Sequence, residues 1–434
     1  MKRSGRRVAL VAWYPPDNPA LPPFIPNMGL YMVAAAVQAA GLAGLDLRIW
    51  DERERGADVV AAEIAAFDPD IVAGSAFLWS LPQIAQVMVA LAQDDPSRLI
   101  VLGGPSARPN MLGHAPFSAL DAVCDVLVEG EGEAPFPALV AATDRSMAGL
   151  AQIPGLTLRR EGVWRQGNPG ARAVMDDLAS PYAQGLIPAG GIGLLETYRG
   201  CPFTCSFCEW GVMEAPRNVL SPDRIGGEFD AMARLGLGAV LLADAGLNLN
   251  ASGFNALKAA AAETGFLKDR ALIAEVYPKA LTEDHLRFLE GVGAPHIGIG
   301  LQSFDDAVLR HVERKFDPGR LGGLLGALRS VAAVTTEIIM GLPGDTPERF
   351  LTSFERARAL GTGLRVYHCA VLPSALMARA PVSDEMVYDP VSLRMRSCRG
   401  WPGDSIDRMA RRLTDEAAAA GGASGDYFWV FPPG

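Results

Sequence analysis

Cysteine, histidine, positive charge and long apolar runs are all scarce in this sequence, and each scarcity removes a class of protein. Six cysteines in 434 residues are too few for the disulfide framework of a secreted scaffold. Lys and Arg number 39 against 49 Asp and Glu, a formal net charge of -10, so no global basic field draws phosphate backbones or anionic lipid. No nucleic acid is expected as a partner. No apolar stretch reaches the roughly 18 to 20 residues of a membrane span, and no membrane association is expected either. The basic start, Met1-Lys2-Arg3-Ser4-Gly5-Arg6-Arg7, runs into an apolar segment that stops at Tyr14-Pro15-Pro16, shorter than a signal-peptide core. A cytoplasmic location is the expectation. With 49% hydrophobic and 20% charged residues, the composition is that of a folded chain, not a disordered one.

Two or three domains are expected at about 100 to 200 residues each. From Arg7 to Thr143, short β-branched runs alternate with amphipathic segments, the pattern of a parallel sheet between helices. Strands are expected at Val8 to Trp13, Leu47 to Asp51, Ile71 to Phe77, Leu99 to Gly104 and Val123 to Gly130, with helices at Met28 to Ala40, Ala57 to Phe67 and Leu81 to Ala92. Scattered Gly and Pro make residues 146–190 a linker, with a hairpin at Leu156 to Trp164. A second βα alternation has strands at Leu194 to Tyr198, Ala239 to Ala243, Ala271 to Val276, His296 to Leu301, Thr335 to Met340 and Leu364 to Val371. The fold class is therefore α/β: a doubly wound, Rossmann or flavodoxin-like sheet over residues 1–145, then a partial (β/α)6 barrel over 191–375. A short, partly helical extension, 376–434, has a helix at Asp404 to Ala420 and an aromatic end, Tyr427 to Phe431, expected to return to the barrel.

Three of the six cysteines crowd together in Gly200-Cys201-Pro202-Phe203-Thr204-Cys205-Ser206-Phe207-Cys208, directly after a strand. Thiols spaced by four and three residues can ligate three irons of a 4Fe-4S cluster and leave the fourth iron open. The spacing does not suit the paired knuckles of structural zinc; the other reading is three buried cysteines without metal. Cys201, Cys205, Phe207 and Cys208 match a CxxxCx(aromatic)C pattern, and in this the chain resembles the radical S-adenosylmethionine (SAM) superfamily. The resemblance implies that the cysteines hold a 4Fe-4S cluster on which SAM is cleaved to a 5′-deoxyadenosyl radical. It also implies SAM contacts around Phe207, around Asp244 and Ala245 in a small-residue turn, at Glu275 for a ribose hydroxyl, and at Gln302 and Leu342 in later strand-end loops. Each of these alone would also suit an ordinary strand-to-helix turn.

The carboxyl ends of the first sheet carry Ser75, then Gly103-Gly104-Pro105-Ser106, then Glu129-Gly130-Glu131-Gly132-Glu133. This resembles the cobalamin-binding domain of radical SAM enzymes, and the likeness covers residues 7 to about 375. It implies that Ser75, Gly103, Gly104, Pro105, Gly130 and Glu131 contact cobalamin, the glycines admitting a large flat ring. A generic flavodoxin-like domain that binds a nucleotide or nothing is the alternative. The lower-axial Asp-x-His-x-x-Gly motif of many cobalamin proteins is absent, and Asp51-Glu52-Arg53-Glu54-Arg55-Gly56 stands in its neighbourhood.

Cys124 and Cys369 are expected as buried strand residues; Arg394, Arg396 and Arg399 around Cys398 are of a kind that can lower a thiol pKa, but a reactive role is not the expectation there. Glu209, Trp210, Tyr277, Tyr367, His368 and the aromatic end are candidates for substrate contact, and the short tail favours a small molecule over a folded protein. The resemblance implies a cobalamin-dependent C-methyltransferase for a small-molecule or peptide intermediate: one SAM methylates cobalamin, a second generates the radical, and an external one-electron donor of flavodoxin or ferredoxin type supplies electrons. Radical cyclisation, ring contraction or non-radical methyl transfer remain open within the family, and an iron-sulfur electron carrier or redox sensor outside it. Cys205→Ala is expected to abolish the broad iron-sulfur absorption and most of the bound iron after anaerobic reconstitution; full iron content in that variant would refute the ligand assignment.

Overall fold

The computed structural model describes residues 6–14, 25–170, 172–212, 218–316 and 321–433. They gather into two units, one built on Pro26–Pro188 with the N-terminal strand, the other on Ala189–Asp389 and Leu393–Gly434.

The first unit contains β1 (Arg6–Trp13), β2 (Leu45–Glu52), β3 (Ile71–Ser75), β4 (Leu99–Gly103), β5 (Val126–Val128), β6 (Leu156–Arg160) and β7 (Val163–Gln166). They form one sheet in the order β2-β1-β3-β4-β5-β6-β7. The first five strands are parallel, in the flavodoxin-like order. Val8, Leu10, Ala12, Ile71, Ala73, Leu99, Val101, Val126 and Val128 alternate along the strands and pack against Leu30, Ala34 and Val37 of helix Met28–Ala39 and Phe136 and Leu139 of helix Pro135–Ala141. The opposite face meets helix Leu81–Asp94, whose Ile84 and Met88 occupy the space a side chain at Gly74 would need. Burial of both faces explains why these strands read as continuous apolar runs.

Two expectations change here. Residues 156–166, placed in a linker, add β6 antiparallel to β5 and β7 antiparallel to β6 and so extend the sheet; the short hairpin lies where turn chemistry put it. The strand expected at Val123 to Gly130 shrinks to β5, because Ser118–Val123 is helical and Cys124 caps that helix, its N–H bonding to Leu120 O. An apolar run alone does not show where a helix stops and a strand starts.

In the second unit β8 (Ile192–Leu195) leads into a short antiparallel ribbon of β9 (Tyr198–Arg199) and β10 (Asn218–Val219). Next come β11 (Ala239–Leu242), β12 (Ala271–Glu275), β13 (Ala294–Gln302), β14 (Ala333–Met340) and β15 (Gly363–His368). The tail adds β16 (Val387–Tyr388), β17 (Met395–Ser397), β18 (Ala423–Ser424) and β19 (Phe428–Phe431). The main sheet has the order β18-β19-β15-β14-β13-β12-β11-β8, six parallel strands with β19 and β18 antiparallel at one edge. The expected aromatic return is thus an edge strand: Phe431 is fully buried against Phe354 at 5.2 Å, and helix Ser405–Ala419 meets β19 through Thr414, which accepts from Trp429 Nε1 at 2.9 Å. The last barrel strand ends earlier than expected, at His368, because Cys369 to Val371 turn to bond the tail at Leu393 and Met395.

One face of this sheet is closed and apolar, with Val240, Leu242, Leu272, Ala274, Ile297, Ile299, Ile338, Leu364 and Val366 all buried. The other stays partly accessible at Leu241, Ile273, Glu275, Arg365 and Tyr367. An ordinary parallel sheet is covered on both faces, so the half-open face is the interior of an incomplete barrel. Among the described residues, no helix is long and apolar enough to cross a membrane.

Gly104 and its neighbour show what the glycines of the first sheet are for. Gly104 has φ +97°, and a Cβ there would stand 2.7 Å from Ala76 O, whereas a Cβ on Gly103 would meet nothing closer than 3.9 Å. Gly104→Ala is expected to destabilise the cofactor-free protein by at least about 2 kcal/mol in urea unfolding, and Gly103→Ala by less than about 0.5 kcal/mol. Equal effects would show that backbone crowding does not dictate Gly104.

Candidate active site

The three cluster-type cysteines lie just beyond β9, on a loop with no ladder partner of its own, so its conformation depends on braces from elsewhere. Cys205 is buried, and Cys201 and Cys208 are partly exposed. Asp244, after β11, braces the chain before the loop: its Oδ1 accepts from Thr197 N at 2.7 Å and Tyr198 N at 3.4 Å, and its Oδ2 accepts from Thr197 Oγ1. Tyr198 answers by donating its hydroxyl to Gly246 O at 2.7 Å. Within the loop Cys208 N donates to Cys205 O at 3.1 Å, and Ser206 N donates to Val312 O at 3.1 Å. Beyond the loop, Glu209 Oε1 accepts from Ser374 N at 3.1 Å. From the far side the Arg379 guanidinium reaches the carbonyls of Thr204, Cys205, Ser206 and Cys208.

The strand ends beside the loop supply its surroundings. Tyr277, after β12, stacks obliquely on Phe203 with ring centroids 4.5 Å apart, and Arg314 lies over the ring of Tyr277 at 4.9 Å. Asn248 fixes Tyr277 by a reciprocal pair, Tyr277 N to Oδ1 at 2.8 Å and Nδ2 to Tyr277 O at 2.9 Å. The Tyr277 hydroxyl is buried without a hydrogen-bond partner among the described residues. Burial raises the Cys201 thiol, with Cys205 adding to the rise and Arg314 opposing it. Ala245 lies half-buried in the turn after β11, Phe207 is half-buried, and Leu342 is fully buried in the loop after β14. Gln302 ends β13 at φ +69°, where the register with β14 shifts. Its side chain folds back over the space a Cβ on Gly300 would need.

A charged group on the half-open face joins three strands. Glu337 of β14 accepts from the Tyr367 hydroxyl at 3.1 Å and pairs with Arg365 at 3.4 Å, both from β15. Glu275 of β12 belongs to the same set: a Cβ on Gly298 would collide with its carboxylate, so glycine at 298 is what admits it. Glu275 is exposed on the half-open face, but the protein packed around it desolvates its carboxylate, and this, reinforced by Glu337, pushes its pKa up to about 8. Burial also raises Glu337, with Arg365 opposing. Sequence reasoning misses Glu337, Arg365, Arg314 and Arg379. The available signal is a charged residue in mid-strand, as in Thr336-Glu337-Ile338 and Leu364-Arg365-Val366; nothing comparable marks Arg379.

In the first unit Ser75 Oγ donates to Asn27 Oδ1 at 3.2 Å, and Asn27 caps helix Met28–Ala39 through Leu30 N. Gly103, Gly104 and Pro105 are half-exposed beyond β4, and Gly130 stands with open space around its Cα beyond β5. Glu131 accepts from Ala173 N at 2.8 Å, so part of its carboxylate is committed to the chain. Among substrate candidates, Tyr277 and Tyr367 face the cysteine loop and the charged group respectively. His368 turns instead to Met395 O at 2.8 Å and is buried against Trp429, away from the half-open face. Cys398 goes the other way from its arginine-rich sequence: it is 5% exposed, and burial together with Asp384 and Asp345 pushes its thiol up to about 12. The arginines beside it in sequence are not among the groups that set its pKa.

The donor set fits an iron-sulfur cluster. Among the described residues, no three His, Cys, Asp or Glu side chains converge on a single-ion position, which a tetrahedral zinc would need. A cubane asks for something else, one thiolate for each of three irons, and the loop supplies three thiols on a braced turn. At the carboxyl edge of the first unit Gly130 leaves its surroundings open, with nothing within 4 Å of where a Cβ would stand.

Asp244 gives the site a pH signature. Burial pushes its pKa up to about 7 from about 3.9 in an unfolded chain, so the folded state binds the extra proton. Its contribution to stability is then full below about pH 4 and lost as pH rises through about 7. The Tm of the cofactor-free protein should fall more steeply between pH 5 and pH 8 than that of Asp244→Asn, which keeps an acceptor for Thr197 N; parallel slopes would contradict this.

The radical SAM superfamily model matches residues 195–357, and the B12 binding domain model matches residues 20–140. Cobalamin-dependent radical SAM methyltransferase TokK of Streptomyces tokunonensis is 29% identical over 369 residues, 78% of this chain and 53% of that protein. The 2-(S-pantetheinyl)-carbapenam-3-carboxylate methyltransferase of Streptantibioticus cattleyicolor is 28% identical over 400 residues, 86% of this chain and 56% of that protein. The chain therefore spans about half the length of the curated relatives it matches. Methyltransferase TsrM of Kitasatospora setae, solved with cobalamin and a 4Fe-4S cluster, shares the fold at TM-score 0.69 and 16% identity over 95% of this chain and 89% of that one. OxsB, solved with aqua-cobalamin and SAM, does so at TM-score 0.62 and 14% identity over 82% and 52%. On the two adjacent family matches and these relatives, the chain belongs to the cobalamin-dependent radical SAM family.

Proposed function

We propose that this protein is a cobalamin-dependent radical SAM C-methyltransferase acting on a small-molecule or peptide biosynthetic intermediate. The observation that carries the reading is the braced loop of Cys201, Cys205 and Cys208 at the carboxyl edge of a half-open parallel sheet, in a chain that also has a B12-binding domain. When bound, a 4Fe-4S cluster offers an open iron and one electron for SAM cleavage, and cobalamin offers a carrier for the methyl group.

The three cysteines are the cluster ligands in this reading, and each must lose its proton to serve. Burial raises the Cys201 thiol, so loading the loop releases protons and is favoured by Arg314, which stabilises the ionised form. Phe207, Ala245 and Gln302 line the approach for SAM, Leu342 packs beneath the loop after β14 that borders it, and Glu275 accepts from a ribose hydroxyl. Asp244 holds Thr197 and Tyr198 with its two oxygens, so the turn it belongs to meets SAM through backbone and Ala245. Ser75, Gly103, Gly104, Pro105, Gly130 and Glu131 form the cobalamin edge. Glu337, Arg365 and Tyr367 add a polar wall on the substrate side. Electrons come from an external flavodoxin or ferredoxin type donor. A small-molecule substrate is supported by the similarity to the carbapenam methyltransferase.

Anaerobic reconstitution with iron, sulfide and hydroxocobalamin is expected to leave a corrinoid absorption band bound to the chain after desalting. With a reductant, deuteriomethyl-SAM and the substrate, the product should carry the label alongside S-adenosylhomocysteine. A protein that retains no corrinoid would overturn the reading, and an unlabelled product would transfer it to a non-methylating radical reaction.

A further inference from the structure

Arg379 ends the short helix Leu376–Arg379, in the extension that follows β15. Its Nη1 donates to Thr204 O at 3.2 Å, and its Nη2 donates to Cys205 O at 2.8 Å, Ser206 O at 3.2 Å and Cys208 O at 2.7 Å. Four carbonyl dipoles aimed at one point repel one another unless a cation stands there. Among the described residues these carbonyls are its only hydrogen-bond partners, and no carboxylate pairs with it, so its charge is not cancelled by a neighbouring anion. The opposite side of the loop is tied to residues 312 and 313, through Val312 O and through Glu313 Oε2, which accepts from Thr204 Oγ1 at 3.0 Å. Removing Arg379 would thus leave the extension holding the loop only at its far end, where Ser374 N donates to Glu209 Oε1.

We propose that Arg379 is the positioning residue that preforms the three-cysteine loop, and that its fixed charge makes the cluster held there easier to reduce. The second half rests on the functional reading above, because it needs a cluster; the first half does not. Reduction adds one electron, from the flavodoxin or ferredoxin type donor, to a group already made anionic by three thiolates. A nearby cation stabilises that more negative state and raises the reduction potential, since charge and hydrogen bonding around the sulfurs set it. Lysine can supply the charge but not the planar fork that engages several carbonyls at once.

The test compares wild type, Arg379→Gln and Arg379→Lys in the full chain. Hydrogen exchange of the cluster-free protein should show the amides of residues 201–210 exchanging at least tenfold faster in both variants, with the rest of the second unit unchanged. After reconstitution, redox titration followed by EPR should place the cluster of Arg379→Gln at a more negative potential than wild type, and that of Arg379→Lys close to wild type. Unchanged exchange at 201–210 would overturn the preforming role, and an unshifted potential in Arg379→Gln would overturn the electrostatic one. If Arg379→Gln loses its fold, Arg379→Lys decides the exchange arm alone and Arg379→Met replaces it for the potential. Failure of the wild-type chain to take up any cluster would count against the proposed function, while the exchange result still judges the loop.

Discussion

Parallel strands deliver every strand-to-helix connection to the same edge of a sheet, and the arrangement of this protein follows from that one constraint. In the second sheet it gathers the cysteine loop, the turn at Asp244, Tyr277, Gln302 and the loop at Leu342 along the carboxyl edge. The same constraint in the first sheet lines up Ser75, Gly103 to Pro105 and Gly130. These connections are chemically useful because they lie outside the ladder, and for that reason the ladder cannot hold them. Side chains hold them instead, with Asp244 on Thr197, Tyr198 on Gly246, Asn248 on Tyr277 and Arg379 on four loop carbonyls.

The half-open face of the second sheet carries a cost that a closed core would avoid. Glu275 and Glu337 are both raised by desolvation, which Arg365 and Arg314 oppose without overcoming. Charged side chains in such surroundings do not favour folding, and their clustering in a cleft is characteristic of functional sites. Gly298 shows how specifically the backbone accommodates them, since any side chain there would take the space of the Glu275 carboxylate.

The C-terminal extension has two separate physical roles. Its aromatic strand β19 covers the edge of β15, which would otherwise present unpaired backbone groups. Its preceding segment places Ser374 and Arg379 against the cysteine loop. Barrel and extension are therefore one folding unit in which the last part of the chain completes a site begun some 170 positions earlier.

Local patterns in the sequence determined the alternation of strands and helices, the flavodoxin-like first unit, the six-stranded parallel run and the three cysteines, because periodicity and spacing are properties of neighbouring residues. The limits of β5 and β15 were not legible, since an apolar run looks alike on both sides of a helix end and a strand can change partners without changing composition. Cys398 has arginines as sequence neighbours, but burial beside Asp384 and Asp345 sets its pKa instead. Glu337, Arg365, Arg314 and Arg379 became part of the site only through contacts between distant segments. Their roles depend on which carbonyl, ring or carboxylate the fold brings within hydrogen-bonding distance, and no local pattern encodes that.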